Sequence, residues 1–252
     1  GAGALPTQAL RSMRKVCTLP TFRGYLEAVY DEKKGQEVIR FVEHVTGALS
    51  VWKMPKEGKQ YVIGADVAEG LAKGDYSSAD VLDKETGEQV AHWHGHIDPD
   101  LFGSDVLANL GWYFNGAEVA VERNNHGLTT IVALKNAGYT NLFRSVQVDE
   151  RTNKERVKLG WLTTRQSKRI LIDEIRQRVR ERSVAVNAVE TIDECLTFVR
   201  LSDGSTAAQE GCYDDRVISL GIALQALVHH PYTKPHKRRA LPDNQPDLIT
   251  GY

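Results

Sequence analysis

The sequence predicts an α/β fold: a mixed sheet of three antiparallel strands followed by parallel strands, flanked by helices. Three observations predict it. Short apolar runs bounded by turn residues recur from Lys59 onward. The first three runs are joined by short turns, which implies an antiparallel meander. Beyond residue 98, helical and strand patterns alternate, as parallel strands require.

Each element has its own signal. Tyr61 to Asp66 is an apolar run ending in an acid, which suits a buried strand, and Gly70 and Gly74 break it. Ser78 to Leu82 is the second strand, Thr86-Gly87 a turn, and Gln89 to His96 the third strand. Asp98 or Pro99 opens a helix to about Phe114. Ala117 to Glu122 is the fourth strand and again ends in an acid. A helix over Leu128 to Ala137, a fifth strand over Asn141 to Arg144 and an exposed hairpin or loop over 147–160 follow. Thr164 to Arg182 is a long helix, residues 184–210 hold short strands with an Asp203-Gly204 turn, and Asp214 to Val228 is the last helix. Three units are expected: a linker, cap or junction over 1–58, where Arg23 to Leu26 and Val38 to Val45 could be short strands or a helix, a domain over 59–230, and a disordered basic tail over 231–252 that carries Pro231, Pro235, Pro242 and Pro246.

Composition excludes several classes. The 252 residues suffice for one sizeable core. No apolar run is long enough for a membrane span, and Gly1 to Leu5 lacks the basic and apolar regions of a signal peptide. That start reads as a cut end, so the chain is expected to be an excised piece. Cys17, Cys195 and Cys212 are odd in number and far apart, which argues against a disulfide framework or a thiolate zinc site and for a reducing cytoplasm. The net charge of −1 gives no nucleic-acid signal, so any DNA surface must be local.

The chemistry is expected from the acids. Asp66 ends the first strand, Glu122 ends the fourth, and Asp214 and Asp215 begin the last helix. If the first and fourth strands are neighbours, these carboxylates meet at one edge of the sheet. Two carboxylates about 4 Å apart repel by roughly 4 kcal/mol at an effective dielectric near 20, so the cluster needs protons or a dication. An all-oxygen donor set favours Mg²⁺ or Mn²⁺ over zinc, and two such ions suit phosphodiester hydrolysis. Singly, each acid also has a plainer reading: a strand-end acid is often solvated, and Asp214 or Asp215 is a good helix cap.

Here a resemblance adds to the residue reading. Tyr61 to Gly70, with Gly74-Asp75-Tyr76-Ser77 after it, resembles the first nuclease motif of tailed-phage large terminases. Val121-Glu122-Arg123-Asn124-Asn125-His126-Gly127 resembles the second, and Gly211-Cys212-Tyr213-Asp214-Asp215-Arg216-Val217 the third, with Tyr213 where His is common. Gly160 to Thr164 also looks like a family segment. The resemblance spans about residues 45–230 and implies a ribonuclease-H-like nuclease domain. It implies that Asp66, Glu122, Asp214 and Asp215 hold two Mg²⁺ or Mn²⁺ ions, with Asp66 bridging, and that Asp75 is an extra acid near the site; a turn role for Asp75 stands beside that. Asn125 and Gly127 are expected to shape a helix start. The implied partners are double-stranded DNA, the ATPase domain of the same subunit, the small terminase and the portal protein, in the host bacterial cytoplasm. No GxxxxGK[ST] occurs, so the chain would be the nuclease part alone.

From Arg151 to Arg182 there are eleven Lys or Arg against four Asp or Glu. On the long helix, Arg165, Arg169, Arg176 and Arg180 fall within about 60° of arc, and with Lys168 they make a candidate DNA-backbone face; a solvated helix surface is the plainer reading. His92, His94 and His96 share one strand face, where an exposed or partner-facing strand is expected ahead of a zinc site. Trp93, Trp112, Tyr113 and Trp161 are expected in the core. Three rivals remain: a resolvase or transposase of the same fold, an actin-like or sugar-kinase ATPase, and a DNA-docking module without catalysis.

Overall fold

The computed structural model describes residues 3–71, 74–124, 126–149 and 154–234. Its centre is a seven-stranded sheet built from β1 (Phe22–Asp31), β2 (Gln36–Glu43), β3 (Leu49–Val51), β4 (Tyr61–Asp66), β5 (Ser77–Asp83), β6 (Gln89–Gly95) and β7 (Glu118–Val121), in the order β2-β1-β3-β6-β5-β4-β7. All pairings are antiparallel except β4 with β7, where Val62 to Ala65 run beside Glu118 to Val121. The three-strand meander and the mixed sheet expected from the sequence are therefore both present.

Successive residues of β4 point to opposite faces, and both faces are covered. Val62 joins a core with Leu82, Ala120 and the helices α1 (Thr7–Arg14), α5 (Arg165–Glu181), α6 (Val189–Thr197) and α7 (Asp215–His229). Ile63 and Ala65 join a second core with Val81, Trp93 and Val119 beneath α2 (Pro99–Leu101), α3 (Ala108–Tyr113) and α4 (Gly127–Asn136). Burial on both faces is why β4 and β5 read as nearly unbroken apolar runs. The helix expected from residue 98 to 114 is one continuous rod, with a π-helical stretch at Phe102–Leu107 between α2 and α3.

Gly64 sets the distance of α7 from the sheet. A Cβ there would stand 2.2 Å from the Ala223 nitrogen and 2.3 Å from the Ser219 oxygen, so only glycine admits the helix at this depth. That depth carries the start of α7 to the end of β4.

Several expectations are corrected. Residues 22–51 are not a linker: they supply three strands of the same sheet, paired through Leu49 with Trp93 of β6. Residues 3–14 dock as well, with the Ala4 nitrogen donating to the Phe198 oxygen at 2.9 Å and Leu10 buried. The expected fifth strand is reduced to a bridge between Leu142 and Val119; the hairpin β8 (Arg144–Asp149) and β9 (Lys154–Leu159) begins where it was to end. The segment read as short strands contains α6 ahead of the small hairpin β10 (Phe198–Arg200) and β11 (Thr206–Ala208). Trp93 and Trp161 are buried, but Trp112 is 43% exposed. Among the described residues no helix is long and apolar enough to cross a membrane. Most of the expected tail lies outside the described residues.

Candidate active site

The parallel pairing of β4 with β7 decides where the first two acids go. Asp66 is the last residue of β4, and Glu122 follows β7 directly, with its nitrogen donating to the Ala65 oxygen at 2.8 Å. Two constraints hold the exit of β7. The Trp161 nitrogen donates to the Val121 oxygen at 2.8 Å, and the Arg123 nitrogen to the Trp161 oxygen at 2.7 Å. Asn124 then clamps Thr163, donating from its amide nitrogen to the Thr163 oxygen and accepting from the Thr163 nitrogen. Gly127 passes so close under this turn that a Cβ would overlap the Glu122 carbonyl oxygen, which fits its expected role at the helix start. Asn125 lies outside the described residues.

The third segment arrives on α7. Asp214 holds the N-cap position, but its side chain caps nothing. Its carboxylate pairs with Lys168 Nζ of α5 at 3.1 Å instead. Asp215 is the first residue of the helix, 6% exposed, with the Tyr76 nitrogen 3.4 Å from its Oδ2. Neither aspartate is therefore spent as a helix cap.

The electrostatics place the acids in one cluster. Asp66 is pushed well above the usual carboxylate range, first by burial and then by Glu122, with which it shares a hydrogen bond, and by Asp215 and Asp214. Burial raises Asp215 to about 7, with Glu194, Asp214 and Asp75 adding to the rise against the Tyr76 contact. Asp66 thus feels the charge of Glu122, Asp215 and Asp214, and Asp215 feels that of Asp214 and Asp75. Among the described residues no three His, Cys, Asp or Glu side chains stand at ion-holding spacing. Lys168 draws one of the acids, Asp214, toward α5.

The basic face divides. Arg165, Lys168, Arg169, Arg176 and Arg200 line a cavity of about 410 Å³ between α5 and the β10–β11 turn. Within it Arg165 donates to the Asp203 oxygen at 2.8 Å, and Arg169 is exposed. Arg176 is committed to the fold, because its guanidinium donates to the Ala4 oxygen and pairs with Asp173. Arg180 is exposed one turn further along.

Sequence reasoning missed three features here. Lys168 was read as a DNA contact and not as a partner of Asp214. Glu194, which pairs with Arg216 and raises Asp215, lies in a helix that was not expected. Asp80 is fully buried, and its carboxylate accepts from Ser219 Oγ at 2.6 Å and Gln89 Nε2 at 2.5 Å with His92 Nδ1 at 3.0 Å. A charged residue inside the apolar run of β5 was the available signal for that network. His92 is accordingly buried, not exposed, while Tyr76 stacks on His94 and lies against His96, with ring centroids 4.4 Å and 3.9 Å away. Tyr213, in the place where histidine is common, meets Tyr76 edge-on.

No protein-family model and no curated protein matches the chain. Among solved structures it is similar to the large terminase nuclease from thermophilic phage G20c, at 20% identity and a TM-score of 0.57 over 86% of this chain and 97% of that one. The same nuclease with bound magnesium gives 20% identity and 0.57 over 86% and 96%. The Thermus phage P74-26 large terminase nuclease domain gives 20% identity and 0.55 over 85% and 93%. A likeness at this identity is one of architecture, and it bears out the expected fold: the chain carries the ribonuclease-H-like fold of the large terminase nuclease domains.

Proposed function

We propose that this chain is a divalent-metal-dependent endonuclease that cuts double-stranded DNA, acting as the nuclease part of a phage DNA-packaging terminase. The observation that carries the reading is the convergence of carboxyls from the ends of β4 and β7 and the start of α7, two of which are raised far above their ordinary range. Carboxyls this costly to ionise favour a cationic partner. Their oxygens are the donor set of a hard dication, and the G20c nuclease of the same fold was solved with magnesium and with cobalt.

In this reading Asp66, Glu122 and Asp215 would hold Mg²⁺ or Mn²⁺, and Asp214, now paired with Lys168, would complete the set for a second ion. Asp75 tunes Asp215 from the side. When bound, the ions supply an activated water and charge neutralisation at the scissile phosphate. The chain's own residues do the rest. Asp66, at the end of β4, would fix the position of a bound ion. Lys168 reaches both Asp214 and the basic cavity, so it can move its charge from the carboxylate to a phosphate. Arg165 and Arg169 track the DNA backbone, with Arg180 further out; Arg176 holds α5 in place. The ATPase domain, small terminase and portal protein are the expected partners, in the bacterial cytoplasm.

The test is incubation of plasmid DNA with the chain in Mg²⁺, in Mn²⁺ and in a chelator. Nicking and linearisation in metal, and none in chelator, support the reading. DNA binding without cutting in either metal would leave a docking module instead.

A further inference from the structure

A second polar cavity borders the carboxylate region. A cavity of about 300 Å³ is lined by Arg23 of β1, Ser50 of β3, His92 and His94 of β6, and Arg216 of α7, with Trp52 at its side. None of Asp66, Glu122, Asp214 or Asp215 lines it.

Three of its lining residues carry a buried nitrogen with no hydrogen-bond partner: His92 Nε2, His94 Nε2 and Arg216 Nε. Buried polar atoms are almost always satisfied, so three orphans around one cavity call for an explanation. The other ends of two of these side chains are occupied. His92 Nδ1 faces the buried Asp80 carboxylate at 3.0 Å, and the Arg216 guanidinium pairs with Glu194. Those ends are fixed, which leaves His92 Nε2 and Arg216 Nε for a further partner.

Charge decides the kind of partner. Arg23 and Arg216 line the cavity, and exposed Glu190 is the one carboxylate among its lining residues. Burial, together with Arg216, His92 and His96, holds His94 down to about 3, so its ring is neutral and can carry its proton on Nε2. Arg216 Nε–H can only donate. His92 Nε2, with Nδ1 turned to a carboxylate, accepts as a neutral ring and donates as an imidazolium. Two donors, one group of either sense and a second guanidinium suit a tetrahedral oxyanion; a metal cation would face two arginines.

We propose that this cavity is a phosphate-binding site, formed where β1, β3, β6 and the first turn of α7 meet. The phosphate is either free inorganic phosphate or a phosphate of a nucleic acid.

The test uses the full chain, without metal, in a ¹H–¹⁵N spectrum that resolves arginine Nε–H groups. The Arg216 signal is identified by its loss in Arg216→Lys. Titration with inorganic phosphate should shift that signal to saturation while chloride at equal ionic strength does not. His94→Phe, which leaves the Arg216–Glu194 pair untouched, should weaken the response at least about fivefold. A short duplex that shifts the same signal identifies nucleic-acid phosphate as the source, and a response to inorganic phosphate alone identifies the free ion. An Arg216 signal that stays in place with both probes, or a saturable shift unchanged in His94→Phe, overturns the proposal.

Discussion

Replacing Asp215 with asparagine removes a carboxyl whose ionisation the fold resists. Burial first, then Glu194, Asp214 and Asp75, lift this group from 3.8 to about 7. An acid raised on folding favours the native state while protonated, and its ionisation costs stability as pH climbs from the unfolded value through the folded one. The interval is about three pH units at about 1.36 kcal/mol each, so the full cost above neutrality is about 4 kcal/mol. At pH 5 only the first part of that interval has been crossed, at a cost of about 1–2 kcal/mol. Asparagine keeps the shape and still accepts from the Tyr76 nitrogen, but never ionises. Asp215→Asn should therefore stabilise the metal-free chain more at pH 8 than at pH 5, by about 2–3 kcal/mol, or roughly 5–10 °C in Tm for a chain of this size. Scanning calorimetry in chelator at the two pH values measures the difference. Equal shifts at both pH values, or a loss of stability at pH 8, would refute the reasoning that burial and the neighbouring carboxyls resist ionisation of Asp215.

Three further outcomes follow from the same geometry. Asp66→Ala should abolish metal-dependent plasmid cleavage while the circular dichroism spectrum stays native; cleavage retained in Mn²⁺ contradicts the role proposed for Asp66. Lys168→Ala frees Asp214, so calorimetric titration should show several-fold tighter Mn²⁺ binding in the absence of DNA, with DNA binding weakened in the same variant. Gly64→Ala drives a methyl into the backbone of α7 and should cost about 1–3 kcal/mol in urea denaturation; an unchanged midpoint would mean that the helix does not rest on β4 as described.

The parts of the fold that the sequence announces are those buried on both faces of the sheet. β4, β5 and β6 are short apolar runs between glycines and turns, and they lie where the pattern put them. β1 and β2 were ambiguous between strand, helix and linker for a physical reason. They pair with each other at the sheet's edge, and Glu27, Asp31, Glu37 and Arg40 leave only a weak alternation. α6 was hidden because Thr191, Glu194 and Thr197 interrupt its apolar face, while Ile192 and Cys195 still reach the core. The acids were legible singly as strand ends and a helix start, and the parallel β4–β7 pairing brings them together. What no linear pattern contains is the company they keep. The Lys168–Asp214 pair bridges 46 positions, and the contact between Arg216 and Glu194 depends on how α6 lies against α7.

The central claim is that Asp66, Glu122 and the start of α7 form a seat for divalent cations. Crystals of the chain soaked in Mn²⁺ and measured at the manganese absorption edge test it most directly. The account predicts an anomalous peak within about 2.5 Å of a carboxylate oxygen of Asp66 and of at least one of Glu122, Asp214 and Asp215. Strong manganese peaks elsewhere in the crystal, with none between these side chains, would contradict it.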